Sequence, residues 1–536
     1  METYALLGDE ALALGAVHAG LSSAYGYPGT PSTEIMEYLQ SVNKKEGKPL
    51  AKWCSNEKTA YEEALGASFY GKRTLVTMKH VGLNVAADAF VNSALLDIRG
   101  GLVLAVADDP GMHSSQNEQD SRYYADFAHI PCFEPVNQQQ AYDVMFEAFE
   151  LSEKLNVPVM IRLVTRLSHS RASITVKKSI PENKGVKAPD VKQWMLLPAL
   201  ARKQWHQLLD KEKEMKTYSE SSEWNHLIFN ESDTGVITSG LGRNYFLENA
   251  DDFKTKYNHL HIGFYPPPAE KIIKLAEKCK TLIFLEEGEP LIERMVRGIL
   301  PGNIILKGKL SGHVSREGEL NPDSIRKVLD LAPKKLIDFS AGEIPGRPPQ
   351  LCKGCPHDDT YRFIKDVVAG LSESAVMSDI GCYALGALPP LQVPETIVCM
   401  GASITMAKGA AEAGMKNVMA VIGDSTFFHS GLTGLVDCVS ENASVTILIL
   451  DNSTVGMTGG QNTILPSQRI KLISEGIGVH PHHIHVVDAH RKNHDNNMKI
   501  LKKELEYEGV SVIISVRECI EYFRKKNKES KEETCS

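Results

Sequence analysis

The chain has 536 residues, too many for one hydrophobic core, and this length predicts about three domains. Its net charge is −8, and its Lys and Arg residues are outnumbered by acids and not gathered on one face, which excludes a nucleic-acid footprint. No apolar run approaches a membrane span, and residues 1–10 carry acids where a secretory signal is apolar, so a cytoplasmic protein with no membrane partner is expected, its ten cysteines being thiols or ligands rather than disulfides.

From Asp9 to Arg166, helical and strand-like stretches alternate. The apolar runs Thr74 to Met78, Leu102 to Ala107 and Val157 to Leu163 read as buried strands, and Glu57 to Tyr70 and Gln138 to Lys154 as helices between them. Such alternation predicts an α/β fold, a parallel sheet wrapped by helices. The segment Tyr27-Pro-Gly29-Thr30-Pro-Ser32-Thr33 turns a strand end into a helix, with the Thr30 hydroxyl available to a ligand and Ser32 or Thr33 as the helix cap. At Ser55-Asn56-Glu57-Lys58 a carboxyl stands at a second strand-to-helix junction, either complementing the helix dipole or serving as a functional acid. A third junction, Met78-Lys79-His80-Val-Gly82-Leu-Asn84, clusters a cation, an imidazole and an amide; Lys79 and His80 either hold a substrate carboxylate or lie in solvent. The Thr30 and Lys79 loops are expected on one sheet edge, where open α/β sheets bind ligands.

Residues 172–226 are rich in Lys and Glu and show no clear strand, only a helix from Leu197 to Met215; they read as a connecting arm. A second α/β unit runs from Leu227 to Leu331, with strands at Thr234 to Gly240 and Thr281 to Glu287, followed by a Pro-rich linker at Ile344 to Pro349. The third unit spans Leu351 to Arg517, and the mixed-charge end from Tyr522 is expected to be solvated.

Within this third unit two apolar runs, Asn417 to Ile422 and Ser444 to Leu450, end in Gly423-Asp424-Ser425 and Asp451-Asn452-Ser-Thr454. Two adjacent strand ends would thereby present oxygen ligands together. Mg²⁺ takes oxygen ligands octahedrally and completes its shell with phosphate and water, roles open to Asp424, the Asn452 amide and a nearby carbonyl. Gly423 permits a close approach of backbone to phosphate, and the helix after it offers free N–H groups. The spacing resembles the thiamine diphosphate fingerprint. The cysteines add Cys352-Lys-Gly-Cys355-Pro-His357, then Cys382 and Cys519: enough thiolates for a [4Fe–4S] cluster, although C-x-x-C also fits zinc or a redox pair. Cys399 and Cys438 lie in apolar contexts and are expected only to pack.

From about Leu6 to Cys519 the chain resembles the large subunits of indolepyruvate ferredoxin oxidoreductases, within the thiamine-dependent 2-oxoacid oxidoreductases. The resemblance rests on the segments 27–34, 56–58, 77–88, 308–312, 318–322, 354–357, 379–383 and 457–460 in that order. It implies a multidomain thiamine diphosphate-binding fold: a pyrimidine-binding domain (1–171), the arm (172–226), a transketolase C-terminal-like domain (227–343), a diphosphate- and Mg-binding domain (344–521) and a charged tail (522–536). Glu57 then matches the acid that activates the pyrimidine, with Thr30, Lys79 and His80 near the reacting centre. Gly29, Asn84, His357, Asp379, Gly381, Gly401, Gly423, Ser425, Val455, Gly456 and Met457 match cofactor-binding positions. Asp424, Asn452 and Thr454 match Mg²⁺ ligands, and Cys352, Cys355, Cys382 and Cys519 match ligands of a [4Fe–4S] cluster.

The implied reaction is decarboxylation of an aryl 2-oxoacid, loss of two electrons one at a time, and transfer of the acyl group to coenzyme A. It implies a smaller partner subunit, a ferredoxin-type electron carrier and a dimer of heterodimers. Two departures stand out. Family members usually continue past Cys519 into a ferredoxin-like segment with two cysteine clusters, where this sequence has a short charged stretch with Cys535, and Lys353 replaces the usual Pro. A non-oxidative thiamine-dependent 2-oxoacid decarboxylase is the alternative.

Overall fold

The runs Thr74–Lys79, Leu102–Asp108 and Val159–Val164 are strands in which every residue is buried, so both of their faces are covered. They form the middle of a seven-stranded sheet ordered Phe264–Tyr265, Cys132–Phe133, Val159–Val164, Leu102–Asp108, Thr74–Lys79, Ser23–Gly26, Leu50–Trp53. All pairings are parallel except that of Phe264–Tyr265 with Cys132–Phe133. The structure is a computed structural model that describes residues 2–300, 302–334, 349–466 and 468–526. The chain divides into two compact units, residues 1–337 and 338–536. No described helix is long and apolar enough to cross a membrane.

Helices Glu57–Phe69 and Gln138–Leu155 form where the alternation places them. Each starts on an asparagine cap: the Asn56 side chain accepts from the Thr59 N–H (2.9 Å) and Asn137 from the Gln140 N–H (2.8 Å). The arm differs from its reading as strand-free. Arg171–Thr175 pairs antiparallel with Thr3–Leu7, and Asn225–Ile228 edges a second sheet. Only Ile174 of Arg171–Thr175 is buried, so this strand lacks the apolar run that announces the others. Helix Pro198–Ser221 carries most of the rest, with proline in its first turn.

The second sheet of the first unit runs Ile305–Lys307, Thr281–Leu285, Thr234–Ser239, Asn258–Ile262, Asn225–Ile228, antiparallel only at the last pair. Between the two sheets lies a fully buried charge network. Arg162 Nε reaches Asp108 (2.6 Å) and its Nη1 Glu134 (2.5 Å), while Arg122 pairs with Asp120 (2.5 Å) and Glu286 (3.1 Å).

The second unit holds a six-stranded parallel sheet ordered Thr396–Ile397, Ala375–Ser378, Val418–Gly423, Val445–Asp451, Val510–Val516, Ile484–Asp488. Residues 520–526 are helical and mostly exposed, as expected of this charged stretch, with two surface ties: Tyr522 donates to Asn462 Oδ1 (2.6 Å) and Lys525 to the Gly459 carbonyl (3.1 Å). The linker at 344–348 and Cys535 lie outside the described residues.

Strand order fixes where ligands can enter. In the first sheet the chain leaves Ser23–Gly26 toward Leu50–Trp53 on one side and returns to Thr74–Lys79 on the other. In the second unit it leaves Ala375–Ser378 toward Thr396–Ile397 and returns to Val418–Gly423. Both are topological switch points, whose crevice lies beyond the carboxyl ends of the strands. The loops at Thr30 and Lys79 flank the first, and Asp379 and Asp424 flank the second.

Candidate cofactor and active site

At the first switch point, glycine sets the spacing. A Cβ on Gly29 would sit 3.1 Å from the Lys79 Cβ, so the Thr30 loop lies directly on Lys79. Ser32 and Thr33 do not cap the helix Thr33–Glu46. Their hydroxyls are occupied in the preceding turn, Ser32 donating to the Gly29 carbonyl (2.8 Å) and Thr33 accepting from the Gly29 N–H (3.0 Å).

Lys79 and His80 are 8% and 1% exposed, which removes the solvated reading. Lys79 Nζ donates to the Ser114 carbonyl (2.7 Å), and burial lowers its pKa to about 8. His80 Nε2 stands 3.3 Å from the Asn117 carbonyl, its Nδ1 has no partner among the described residues, and burial lowers its pKa. Ser114 Oγ also reaches the Thr30 carbonyl (3.4 Å). The loop 109–119 thus binds both junctions; Ser114 and Asn117 belong to no motif that the sequence alone shows.

Glu57 is 6% exposed at the start of its helix. A Cβ on Gly82, in the first turn of helix His80–Ser93, would fall 2.6 Å from both Glu57 Cγ and Oε1. The acid therefore lies against a helix N-terminus, where negative charge is favoured. Asn84 is exposed and accepts from the Tyr124 hydroxyl (2.6 Å), apart from this group.

At the second switch point Asp379 is fully buried and accepts from the N–H groups of Ile380 (2.9 Å), Gly401 (2.9 and 3.0 Å) and Ser403 (3.1 Å). It organises the start of helix Ala402–Glu412, so the Gly401 N–H is committed internally. Gly401 has φ +91° and a Cβ there would meet Ser430 Cβ at 2.6 Å, two reasons for glycine. Tyr383, unassigned by the sequence reading, places its ring where a Cβ on Gly381 or Gly423 would come within 2.4 or 2.6 Å, and its hydroxyl donates to the Ile380 carbonyl (3.0 Å).

Asp424 is 4% exposed and accepts from the Ser425 N–H (2.8 Å) and the Ser453 N–H (3.0 Å). Burial and the adjacent Asp451 carboxylate push its pKa far above the carboxylate range. Asn452 donates to His357 Nε2 (3.2 Å), accepts the Thr454 N–H on Oδ1 (3.3 Å), and takes the Cys519 N–H on its carbonyl (3.1 Å). Burial holds His357 neutral, its pKa lowered to about 4. Ser425 Oγ is buried without a partner among the described residues. Val455 pairs with Gln461 in a short ladder, and Met457 is 57% exposed beyond it.

The cysteines adjoin this clamp. A Cβ on Gly456 would lie 3.0 Å from Cys382 Sγ. Burial pushes the pKa of Cys355 up to about 11, with smaller contributions from Cys352 and Cys519; burial and then Cys355, Cys519 and Cys352 push Cys382 up to about 12. The four thiols are therefore electrostatic neighbours. Among the described residues no three His, Cys, Asp or Glu side chains converge closely enough to hold a single metal ion. A four-iron cluster spreads its thiolates further than a single ion does, and this donor set suits such a cluster. The buried Asp424 and Asp451 carboxyls, with no basic side chain beside them among the described residues, likewise suit a divalent cation. Cys438 is buried as expected, but Cys399 is exposed, because the Ile397-Val398 run preceding it is itself at the surface.

Two family descriptions match: "Thiamine pyrophosphate enzyme, C-terminal TPP binding domain" over residues 379–515, and "Pyruvate flavodoxin/ferredoxin oxidoreductase, thiamine diP-bdg" over 14–223. Fold and matches together define a thiamine diphosphate-binding enzyme of the oxidoreductase class. The indolepyruvate oxidoreductase subunit IorA of Archaeoglobus fulgidus is 37% identical, across 99% of this chain and 89% of its own length. That of Methanothermobacter thermautotrophicus is 36% identical, across 96% and 86%. A solved 2-oxoglutarate:ferredoxin oxidoreductase from Magnetococcus marinus aligns with TM-score 0.49 and 15% identity over 61% of this chain and 65% of that one. The chain belongs to the family of indolepyruvate oxidoreductase IorA subunits.

Proposed function

We propose that the chain is the catalytic subunit of an enzyme that oxidatively decarboxylates aryl 2-oxoacids of the indolepyruvate kind to acyl-coenzyme A, passing electrons to a ferredoxin-type carrier. In this reading Asp424, the Asn452 amide oxygen and the Thr454 carbonyl hold Mg²⁺ and through it the diphosphate. Thiamine diphosphate, when bound, supplies carbanion stabilisation. Glu57 holds the proton exchanged with the pyrimidine ring. An ammonium has three donors, and the Ser114 carbonyl takes one from Lys79, leaving donors for the 2-oxoacid carboxylate; Thr30 and His80 complete that wall. Cys352, Cys355, Cys382 and Cys519 carry a [4Fe–4S] cluster as the first electron acceptor. A smaller subunit joins the chain in a dimer of heterodimers in the cytoplasm.

The observation that carries the oxidative reading is the cysteine group set against the diphosphate clamp, with the Cys519 N–H on the Asn452 carbonyl and Cys382 Sγ against Gly456. A non-oxidative decarboxylase has no use for it. The test is anaerobic co-purification with the smaller subunit, iron analysis, and an assay over a panel of 2-oxoacids with coenzyme A and a viologen. About four iron atoms per chain and coenzyme A-dependent viologen reduction, fastest with aryl 2-oxoacids, are expected. A colourless, iron-free protein that releases aldehyde from the same acids refutes the oxidative reading.

A further inference from the structure

Asp451 belongs to no ligand set so far described. In the parallel pairing of Val418–Gly423 with Val445–Asp451, Gly423 stands opposite Leu450, so Asp424 and Asp451 are the next neighbours beyond the paired ends. Asp451 is 2% exposed. Its Oδ1 accepts from the Ser453 N–H at 3.1 Å, the same N–H that Asp424 Oδ2 accepts at 3.0 Å. Ser453 has φ +61°, a left-handed conformation that turns this N–H toward both carboxylates. Asp451 Oδ1 also accepts from the Ser453 hydroxyl (3.4 Å), and the two carboxyl groups lie within hydrogen-bonding reach of each other; the other oxygen, Asp451 Oδ2, is buried and meets no donor among the described residues. No basic side chain among them pairs with either acid.

Two buried carboxyl groups at adjacent strand ends, with no basic side chain beside them and one oxygen that meets no donor, present the hard oxygen ligands that a divalent cation takes. Mg²⁺ is held through one or two carboxylates together with phosphate oxygens and waters. We propose that Asp451 is the second carboxylate of the magnesium seat, offering its unpartnered Oδ2 to the cation or to one of its waters. The proposal rests on the reading of Asp424 as a magnesium ligand.

The test uses the full chain with its partner subunit, Mn²⁺ as probe, and the free Mn²⁺ electron paramagnetic resonance signal in the presence of thiamine diphosphate. Asp451→Asn, which keeps the acceptor for Ser453, is expected to weaken Mn²⁺ binding roughly ten- to a hundredfold. Without metal its melting temperature should equal or exceed that of the wild type, since Asn keeps the acceptor for Ser453 and ends the crowding of two buried carboxyl groups. A purely structural Asp451 would instead lower the metal-free melting temperature and leave Mn²⁺ affinity within about twofold, and either result overturns the proposal. Should Asp451→Asn fail to fold, Asp451→Ser carries the same comparison. If Asp424→Asn abolishes Mn²⁺ binding while Asp451→Asn does not weaken it, the clamp stands and this proposal falls; if the wild type binds no Mn²⁺, the clamp itself falls first.

Discussion

The chemistry proposed for the first unit turns on two buried side chains of opposite charge. Glu57 lies against Gly82 at the start of helix His80–Ser93, so an amide of the same shape fits where the carboxyl sits. Glu57→Gln should lower turnover by roughly a hundred- to ten-thousandfold, the span of a lost general acid or base, while calorimetry finds thiamine diphosphate affinity changed by no more than about threefold. Unchanged turnover would remove Glu57 from the mechanism. Lys79 has a pKa lowered by burial to about 8, so it is charged at neutral pH and loses its charge as pH rises through that value. A 2-oxoacid carboxylate stays anionic throughout. The KM for the oxoacid should therefore climb above about pH 8, with kcat less affected, and Lys79→Arg should move this break beyond the accessible range. A KM flat to pH 10 would show that Lys79 does not meet the substrate carboxylate.

Glycines at strand-to-helix junctions are where elements come close enough to assemble the site, and Gly82 sets one such approach at Glu57. Here an added Cβ would lie 2.6 Å from Glu57, so the acid must move. Gly82→Ala should thus cut activity at least about tenfold and destabilise the first unit by roughly 1–3 kcal/mol; equal activity would mean that the Glu57 position is not critical. Much of this was legible beforehand. Apolar runs closed by Gly-Asp, Asp-Asn or Met-Lys-His announced strand ends, because buried parallel strands leave continuous hydrophobic signatures. Edge strands such as Arg171–Thr175, exposed at most positions, left none. Nor could local sequence show that Ser32 and Thr33 clasp the Gly29 peptide, or that Ser114 and Asn117 arrive from a loop some thirty residues on to hold Lys79 and His80. Those contacts depend on strand order, which spacing alone does not encode.

At the scale of the molecule, the motifs at 308–312 and 318–322 gain a role that no ligand gave them. Lys309 Nζ is buried on the Gly288 carbonyl, the Gly318 N–H donates to Glu118 (3.2 Å), the Leu320 N–H donates to Glu287 (3.0 Å), and Glu319 binds Arg166 (2.8 Å) and His113 (3.2 Å). Together with Arg122 and Arg162 they fasten the second sheet to the loop 109–119 that holds Lys79 and His80. Arg162 is the member whose loss leaves most behind, since Asp108 and Glu134 both depend on it. Arg162→Gln should destabilise the first unit by about 3–5 kcal/mol, the usual cost of stranding buried charge. All four tryptophans, Trp53, Trp194, Trp205 and Trp224, lie in that unit, so urea unfolding followed by tryptophan fluorescence reads it selectively. The pH dependence has a definite sign. Burial raises Glu287 from 4.5 to about 7, so the folded state binds a proton that the unfolded state releases; this contribution is fully present below pH 4.5 and is lost as pH rises through 7. Asp120, which burial pushes up but Arg122 and Arg162 hold down to about 2, keeps its contribution above pH 3.8 and does not compete in that window. His259 and His261, which burial lowers to about 3, work the other way in that window, so the difference between Arg162→Gln and the wild type, rather than the wild-type midpoint, reads Glu287. Arg162→Gln removes a cation that favours ionised Glu287, so its deficit should be smaller at pH 5 than at pH 7; a deficit independent of pH would mean that the acids around Arg162 are not what its loss strands.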